Sequence, residues 1–436
     1  MARNHGRGAH RALNLNVRGL GYSATVAINE RIASLRAAGR EIFQLGFGQS
    51  PFPVPEPVAE SLRRNAHQKD YLPVKGLEAL RRAVADYTRR VFGVDRNASD
   101  VLIGPGSKEL MFLLQLVYYG DLVIPAPSWV SYAPQARIIG RHVRLLETTE
   151  DDGWAITPEQ LDRLCAEDPE RPRIVILNYP SNPTGGSYPL ARLKALARVA
   201  REHGVVLLAD EIYGELHHRG QHVSIARFYP EGTIVSSGLS KWCGAGGWRL
   251  GTFVFPPRLG WLLDAMAAVA SETYTSTSAP IQYAAVTAFE GGPEIDDYLR
   301  RSRRVLGWLG RWCWRRLAAC GVVCCRPAGG FYLFPSFEQH RPVLAAAGID
   351  GSLALCEALL DDTGVALLPG EPFGLPPSLL AARLAYVDFD GAAALAAAGG
   401  ISTRAEVESF LRRYCPRVMT AVERLGEWLV ERRAAG

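Results

Sequence analysis

Two unbroken apolar runs do most to restrict how this chain can fold. Ile174-Val175-Ile176-Leu177 and Val205-Val206-Leu207-Leu208-Ala209 have the length of strands and offer no polar position to turn toward water. Between them lie a breaker-rich turn, Ser181-Asn182-Pro183-Thr184-Gly185-Gly186, and a helical segment from about Leu190 to His203. Strands dry on both faces and joined through a helix belong to a parallel sheet covered on both sides. The pattern extends in both directions. Seven candidate strands start near Val101, Leu122, Val143, Ile174, Val205, Thr233 and Thr252, and helical stretches separate most of them. The spacing predicts an α/β fold, a mostly parallel seven-stranded sheet with helices on both faces, from about Glu56 to Leu317.

In an open α/β sheet, ligands bind just past the carboxyl ends of the strands. Asn182, Asp210, Tyr213 and Lys241 all fall at that edge. Lys241 follows the strand starting at Thr233, within Ser237-Gly238-Leu239-Ser240-Lys241, and Arg249 comes eight positions later. A lysine lifted out of water beside a fixed cation loses its proton easily and becomes a nucleophilic amine, as a Schiff-base lysine must. Taken alone, the stretch reads equally well as a surface loop. The three other polar groups on the same edge tip the balance. Upstream, Val101-Leu102-Ile103-Gly104-Pro105-Gly106 is a strand ending in glycines, and Ser107-Lys108 opens a helix. A helix N-terminus presents free N–H groups to an anion, and Arg249 adds a planar fork suited to phosphate oxygens. Ser107-Lys108 by itself would read as a helix cap with a solvated lysine.

In their order, these motifs resemble those of the class I/II aminotransferases, pyridoxal-phosphate (PLP) enzymes of fold type I, and within them the bacterial aspartate/aromatic branch. The likeness runs from Ser23-Ala24-Thr25 to Arg383-Leu384-Ala385-Tyr386. It takes in Tyr71-Leu72-Pro73, Pro127-Ser128-Trp129, Asn178-Tyr179-Pro180-Ser181-Asn182-Pro183, Asp210-Glu211-Ile212-Tyr213, Ser240-Lys241, Gly247-Trp248-Arg249 and Pro369-Gly370. The resemblance implies a fold-type-I transferase with a smaller α+β domain, moving an amino group between an L-amino acid and a 2-oxo acid. Lys241 would hold PLP as a Schiff base and shuttle the Cα proton. Asp210 would pair with the pyridine nitrogen, Asn182 and Tyr213 with the ring hydroxylate, and Trp129 would stack on the ring. Gly106, Ser107, Lys108, Ser240 and Arg249 would hold the phosphate end. Arg383 would grip the substrate α-carboxylate, with Asn182, Trp129 and Gly48 also at the substrate. Tyr71 would reach the phosphate of a second subunit, so a homodimer is implied.

The departures from the branch pattern bear on substrate more than on reaction. Gln49-Ser50-Pro51-Phe52 stands where the branch usually has Glu-Pro-Asp-Phe, and Trp242-Cys243-Gly244-Ala245-Gly246 replaces a small residue, an aromatic and Ala-Met-Thr. The loop Ser271 to Ser276 has no arginine for a side-chain carboxylate, but Lys108 matches a lysine that some relatives use for it. Such differences keep elimination, replacement or cyclisation on the same cofactor as a second reading. Gly391 to Gly400 looks like an insertion.

The remaining features set limits. A chain of 436 residues, 48% hydrophobic, is large enough for two domains: residues 56–317 as the large one, 23–55 with 318–436 as the small one. Residues 1–22, with Arg3, Arg7, Arg11 and Arg18 and no apolar core, predict a disordered arm rather than a secretory signal. A net charge of +5 carries no nucleic-acid footprint, and no apolar run reaches membrane-spanning length. The eight cysteines form no C-x-x-C pair, which fits buried thiols in a reducing cytoplasm, although Cys243 lies close to Lys241. His217, His218 and His222 are expected in a solvated loop, with no metal site. Trp308, Trp312 and Trp314 are expected to pack in the core or between domains.

Overall fold

The apolar runs assemble into a central sheet. The computed structural model describes residues 14–21 and 24–435. Its strands, in chain order, are β1 (Phe43–Gln44), β2 (Val101–Gly104), β3 (Asp121–Ala126), β4 (Val143–Glu147), β5 (Arg173–Asn178), β6 (Val206–Asp210), β7 (Thr233–Gly238) and β8 (Gly251–Val254). After them come β9 (Tyr332–Leu333), β10 (Val365–Ala366), β11 (Leu368–Pro369) and β12 (Ala382–Ala385). The large sheet has seven strands in the order β2-β8-β7-β6-β5-β3-β4. All seven predicted strands are present. β8 runs antiparallel to both β2 and β7, and the other neighbours pair in parallel.

The reversal of β8 has a local cause. A parallel crossover needs a dozen or more residues, usually a helix. Between β7 and β8 the chain has twelve residues, the bare minimum, and no helix beyond the 3₁₀ turn Gly246–Trp248, so it returns beside β7 in the opposite direction. That return brings Arg249 back to the edge from which Lys241 leaves.

β5 shows why both faces are dry. Ile174 and Ile176 join the layer of helices Ser107–Val117 and Gly260–Glu272. Val175 and Leu177 join the opposite layer, with helices Pro158–Ala166 and Leu190–Glu202. Alternation along one strand thus feeds two cores.

The rest of the chain builds smaller sheets. β11, β12 and β9 pair antiparallel, and β1 pairs in parallel with β10. Gly329–Phe334 and Arg383–Val387 also read as strands from their sequence, and they are realised as the shorter β9 and β12. Residues 404–433 have helical periodicity throughout, but they form two helices, Arg404–Tyr414 and Pro416–Ala435, parted at Pro416, which cannot continue a ladder. Within the Ala/Gly-rich stretch, Gly391–Ala397 is a helix whose first turn is capped by Asp390. A Cβ on Gly391 would lie 2.0 Å from the Pro51 carbonyl oxygen, so this stretch is seated directly on the Gln49-Ser50-Pro51 segment. Trp308, Trp312 and Trp314 pack half-buried against the main core, and Trp308 meets Phe410 edge-on at 5.4 Å. Of the expected arm, residues 1–13 and 22 lie outside the described residues, while Leu15–Val17 make one 3₁₀ turn.

The histidines correct the sequence reading. They are not in a solvated loop: His218 bonds to the Gly330 carbonyl at 3.0 Å, and His222 is buried against Glu211, Nε2 to Oε2 3.0 Å. Gly214, lacking a side chain, makes room for the His222 ring, which a Cβ there would approach to 3.0 Å.

Candidate active site

At the carboxyl edge of the sheet opens a cavity of about 630 Å³. Gly48, Ser107, Lys108, Trp129, Asn182, Asp210, Tyr213, Ser240, Lys241, Arg249 and Arg383 all line it. Gly106 sits beside it as the N-cap of the Ser107 helix. Tyr71 is the exception: it is 90% exposed and is not among the residues lining this cavity.

Lys241 leaves β7 and turns inward, donating from Nζ to the Gly48 carbonyl at 3.0 Å. Its ammonium lies 5.7 Å from the Tyr213 ring centre and 5.8 Å from that of Phe331. Burial lowers its pKa to about 8, helped by the charges of Arg383, Arg249 and Lys108 and opposed by Asp210. An amine held this low exchanges its proton near neutral pH, as both a nucleophile and a proton carrier must.

Asp210 ends β6 with its carboxylate buried. Burial raises its pKa to about 6, with Glu211 adding to the rise, while Tyr132, the Ile212 N–H and Lys241 pull against it. Tyr132 Oη donates to Oδ2 at 2.5 Å. Oδ1 has no hydrogen-bond partner among the described residues, although it is shut off from water. A buried carboxylate oxygen left open in a cavity wall calls for a donor, best a cationic one.

Arg383, on β12, is buried at 2% exposure. Its Nη1 donates to Asn182 Oδ1 at 3.1 Å and its Nη2 to the Gly46 carbonyl at 2.7 Å, leaving Nε without a partner among the described residues. The guanidinium carbon stands 4.7 Å from the Tyr332 ring centre and 5.2 Å from that of Phe373. Asn182 is fixed through its own N–H, which donates to Asn178 Oδ1 at 2.7 Å, and Asn178 Nδ2 reaches the Asp210 carbonyl at 2.9 Å. Gly48 has to be glycine, since a Cβ would come within 2.0 Å of the Tyr332 hydroxyl.

At the far end, the Ser107–Val117 helix points its N-terminus at the cavity without a side-chain cap. Arg249 is held left-handed, φ 55°, with Nη1 on the Gly246 carbonyl at 2.9 Å. That conformation is strained for a residue with a side chain, a feature found at ligand sites. A Cβ on Gly106 would meet Arg249 Nη2 at 2.2 Å, so glycine lets the fork close over the helix end. Trp129 stands edge-on to Tyr132 at 5.2 Å, and Lys108 Nζ lies 5.1 Å from the Trp129 ring. Burial and Arg249 lower the Lys108 pKa.

The sequence reading overlooked Tyr132 and Tyr332, whose partners are remote in the chain, and Asn178, which ends a strand as visibly as Asp210 does. It also gave Trp242-Cys243 a bearing on substrate that the structure does not support. Both side chains are buried in the main core, Trp242 stacked on Tyr87 at 6.4 Å, and burial raises the Cys243 pKa.

A molecule with a protonated ring nitrogen at one end and a phosphate at the other would satisfy the open Asp210 oxygen and the Ser107 helix together. PLP has that form, and the architecture is that of a fold-type-I PLP enzyme. The family model for aminotransferase class I and II matches residues 40–388. The aspartate aminotransferase of Geobacillus stearothermophilus is 34% identical over 375 residues, 84% of this chain and 91% of its own. The aspartate/prephenate aminotransferase of Thermus thermophilus is 32% identical, covering 83% and 92%. Among solved structures, the Thermus thermophilus aspartate aminotransferase with maleate superposes with a TM-score of 0.80 at 29% identity, covering 96% of this chain and 99% of that one. The chain belongs to the class I and II aminotransferases, in their aspartate branch. It is a PLP-dependent enzyme that acts on amino acids and oxo acids. Among the described residues, no helix is long and apolar enough to cross a membrane.

Proposed function

We propose that Lys241 carries both the cofactor and the migrating proton, in an enzyme that takes dicarboxylic L-amino acids and works as a homodimer. The observation that carries this reading is the Lys241 amine itself, inside the cavity with its pKa brought down to about 8.

Bound PLP supplies an electron sink for the charge left at the substrate Cα when its proton is removed. Everything else falls to side chains. Arg383 receives the α-carboxylate in a two-point fork, its plane set by Asn182, the Gly46 carbonyl and the Tyr332 ring. Asp210 would accept a hydrogen bond from the protonated ring nitrogen and keep it protonated, and the donors on Asp210 favour its charged form. Tyr213 and Asn182 would hold the ring oxygen, and Trp129 would cover the ring. The Ser107 helix end, Ser240 and Arg249 would hold the phosphate. Lys241, freed by the substrate amine, would be the base that removes the Cα proton and delivers it to the carbon on the far side of the substrate nitrogen.

Lys108 supports the substrate preference, as a cation on the cavity wall able to pair with a side-chain carboxylate. Tyr71 supports the dimer: a tyrosine 90% exposed is free to complete a second copy's site. The eight thiols are unpaired, which suits a cytoplasmic enzyme. We also take residues 56–317 as the large domain and 23–55 with 318–436 as the small one.

The test mixes PLP-loaded protein with L-amino acids one at a time while its visible absorbance is followed. Aspartate or glutamate is expected to convert the cofactor to its amine form, and a 2-oxo acid to restore it. Release of ammonia without the amine form would overturn the reading.

A further inference from the structure

Tyr332, on β9, touches both ends of the site. It is buried at 1% exposure. Its hydroxyl lies 3.0 Å from that of Tyr213 and donates at 3.4 Å to the Gly48 carbonyl, the same oxygen that accepts from Lys241 Nζ at 3.0 Å. Its ring face lies 4.7 Å from the Arg383 guanidinium carbon. Burial raises the phenol pKa, so near neutral pH it remains a donor.

Proton counting assigns the hydroxyl a role. Tyr213 has one O–H proton. If that proton goes to a ligand oxygen, the Tyr213 oxygen is left to accept, and the Tyr332 hydroxyl is the group beside it. Tyr332 then turns its proton from Gly48 to Tyr213, and the Gly48 carbonyl keeps Lys241 as its donor. Each donor in such a chain is strengthened by the one behind it. The ring acts separately, because a flat face against a guanidinium limits the planes in which the fork can lie.

We propose that Tyr332 is a positioning residue that links the two ends of the site, its hydroxyl aiming the Tyr213 proton at the cofactor's ring oxygen and its ring holding the Arg383 fork. This rests on the roles proposed above for Tyr213, Lys241 and Arg383.

The hydroxyl and the ring separate in two variants of the PLP-loaded enzyme. Tyr332→Phe keeps the ring and loses the hydroxyl, while Tyr332→Leu loses both. Weaker donation from Tyr213 leaves the ring oxygen more negative, so the neighbouring proton is held to higher pH. In Tyr332→Phe, the midpoint of the pH titration of the visible band is expected to rise by about 0.5 unit, with kcat falling about tenfold and KM staying within about twofold. Tyr332→Leu is expected to add a rise of about tenfold in KM. Tyr332→Met, also unbranched at Cβ, replaces the leucine variant should that one not fold. A Tyr332→Phe enzyme with wild-type midpoint and kcat overturns the hydroxyl's role. Equal KM for the phenylalanine and leucine variants overturns the ring's. The wild type separates the two layers: if it fails to convert any amino acid, the functional reading falls, and if it converts while Tyr332→Phe matches it, this inference alone falls.

Discussion

Asp210 and Glu211 are consecutive and both buried, yet they stand in opposite situations. Asp210 faces the cavity, where Oδ1 has no partner among the described residues and the pKa stands at about 6. Glu211 projects the other way from the strand end into a closed cluster. Its Oε1 accepts from Tyr179 Oη at 2.9 Å, and its Oε2 lies 3.0 Å from His222 Nε2, in ion-pair contact rather than in hydrogen-bond alignment. Beside it, Glu215 receives Tyr87 Oη at 3.1 Å and the Arg303 guanidinium. Buried charge alone therefore does not mark the site. What marks it is charge whose partner must come from outside the chain.

The largest effect expected from this contrast is on Lys241. Lys241→Ala should lower turnover by roughly 10⁴-fold or more and abolish the covalent attachment of PLP that borohydride fixes. A variant within tenfold of the wild type breaks the comparison at its root. Glu211→Gln probes the other side. Removing one partner of a buried pair leaves His222 facing an amide, a loss of about 3 kcal/mol, read as a lower urea midpoint with the visible band unmoved. A stable Glu211→Gln protein with a displaced band would move Glu211 into the site.

The contrast also explains what could be read from the sequence. Asn182, Asp210 and Lys241 could be placed at the site edge because each lies at, or within four residues past, the end of a strand with no wet face, which fixes both the strand and the edge it delivers. β1, β10 and β11 have two residues apiece, too few for a period to declare itself. Tyr132 and Tyr332 were missed because their partners lie 78 and 119 positions away, and spacing carries no distance across a fold. His222 misled for a related reason. A run of His, Arg, Gly and Gln looks solvated until Gly214 and Glu211 are known to leave it a pocket and a carboxylate partner. Cys243 erred in the opposite sense: two positions from Lys241, it turns into the core.

Lys108 sharpens the cavity side. A cation lining the wall but outside the proposed chemistry should act on one substrate class. Lys108→Met is expected to raise KM for a dicarboxylic amino acid roughly 30-fold, about 2 kcal/mol, while an apolar amino acid changes less than about threefold. Equal losses for both substrates would place Lys108 at the cofactor instead.

The smallest effect tests the sign of the comparison in the PLP-free protein. Lys241, near pH 8 when folded, lies below the roughly 10.4 of an unfolded lysine. Between those values the unfolded chain binds more protons, so the group destabilises the fold fully below pH 8 and ceases to do so above about pH 10. Asp210, at about 6, lies above the roughly 3.9 of an unfolded aspartate. There the folded chain binds more protons, so its penalty is absent below about pH 4 and complete above pH 6. At pH 7 both groups hold the protein below its attainable stability. Lys241→Met and Asp210→Asn should each stabilise it by about 1 kcal/mol. The lysine gain should fade as pH rises from 8 to 10, and the aspartate gain as pH falls from 6 to 4. Two gains with opposite pH trends, against a loss at Glu211, are what open and closed charges require. If either cavity variant is less stable than the wild type at pH 7, its charge already has a partner within the chain, and the distinction between neighbouring carboxylates fails.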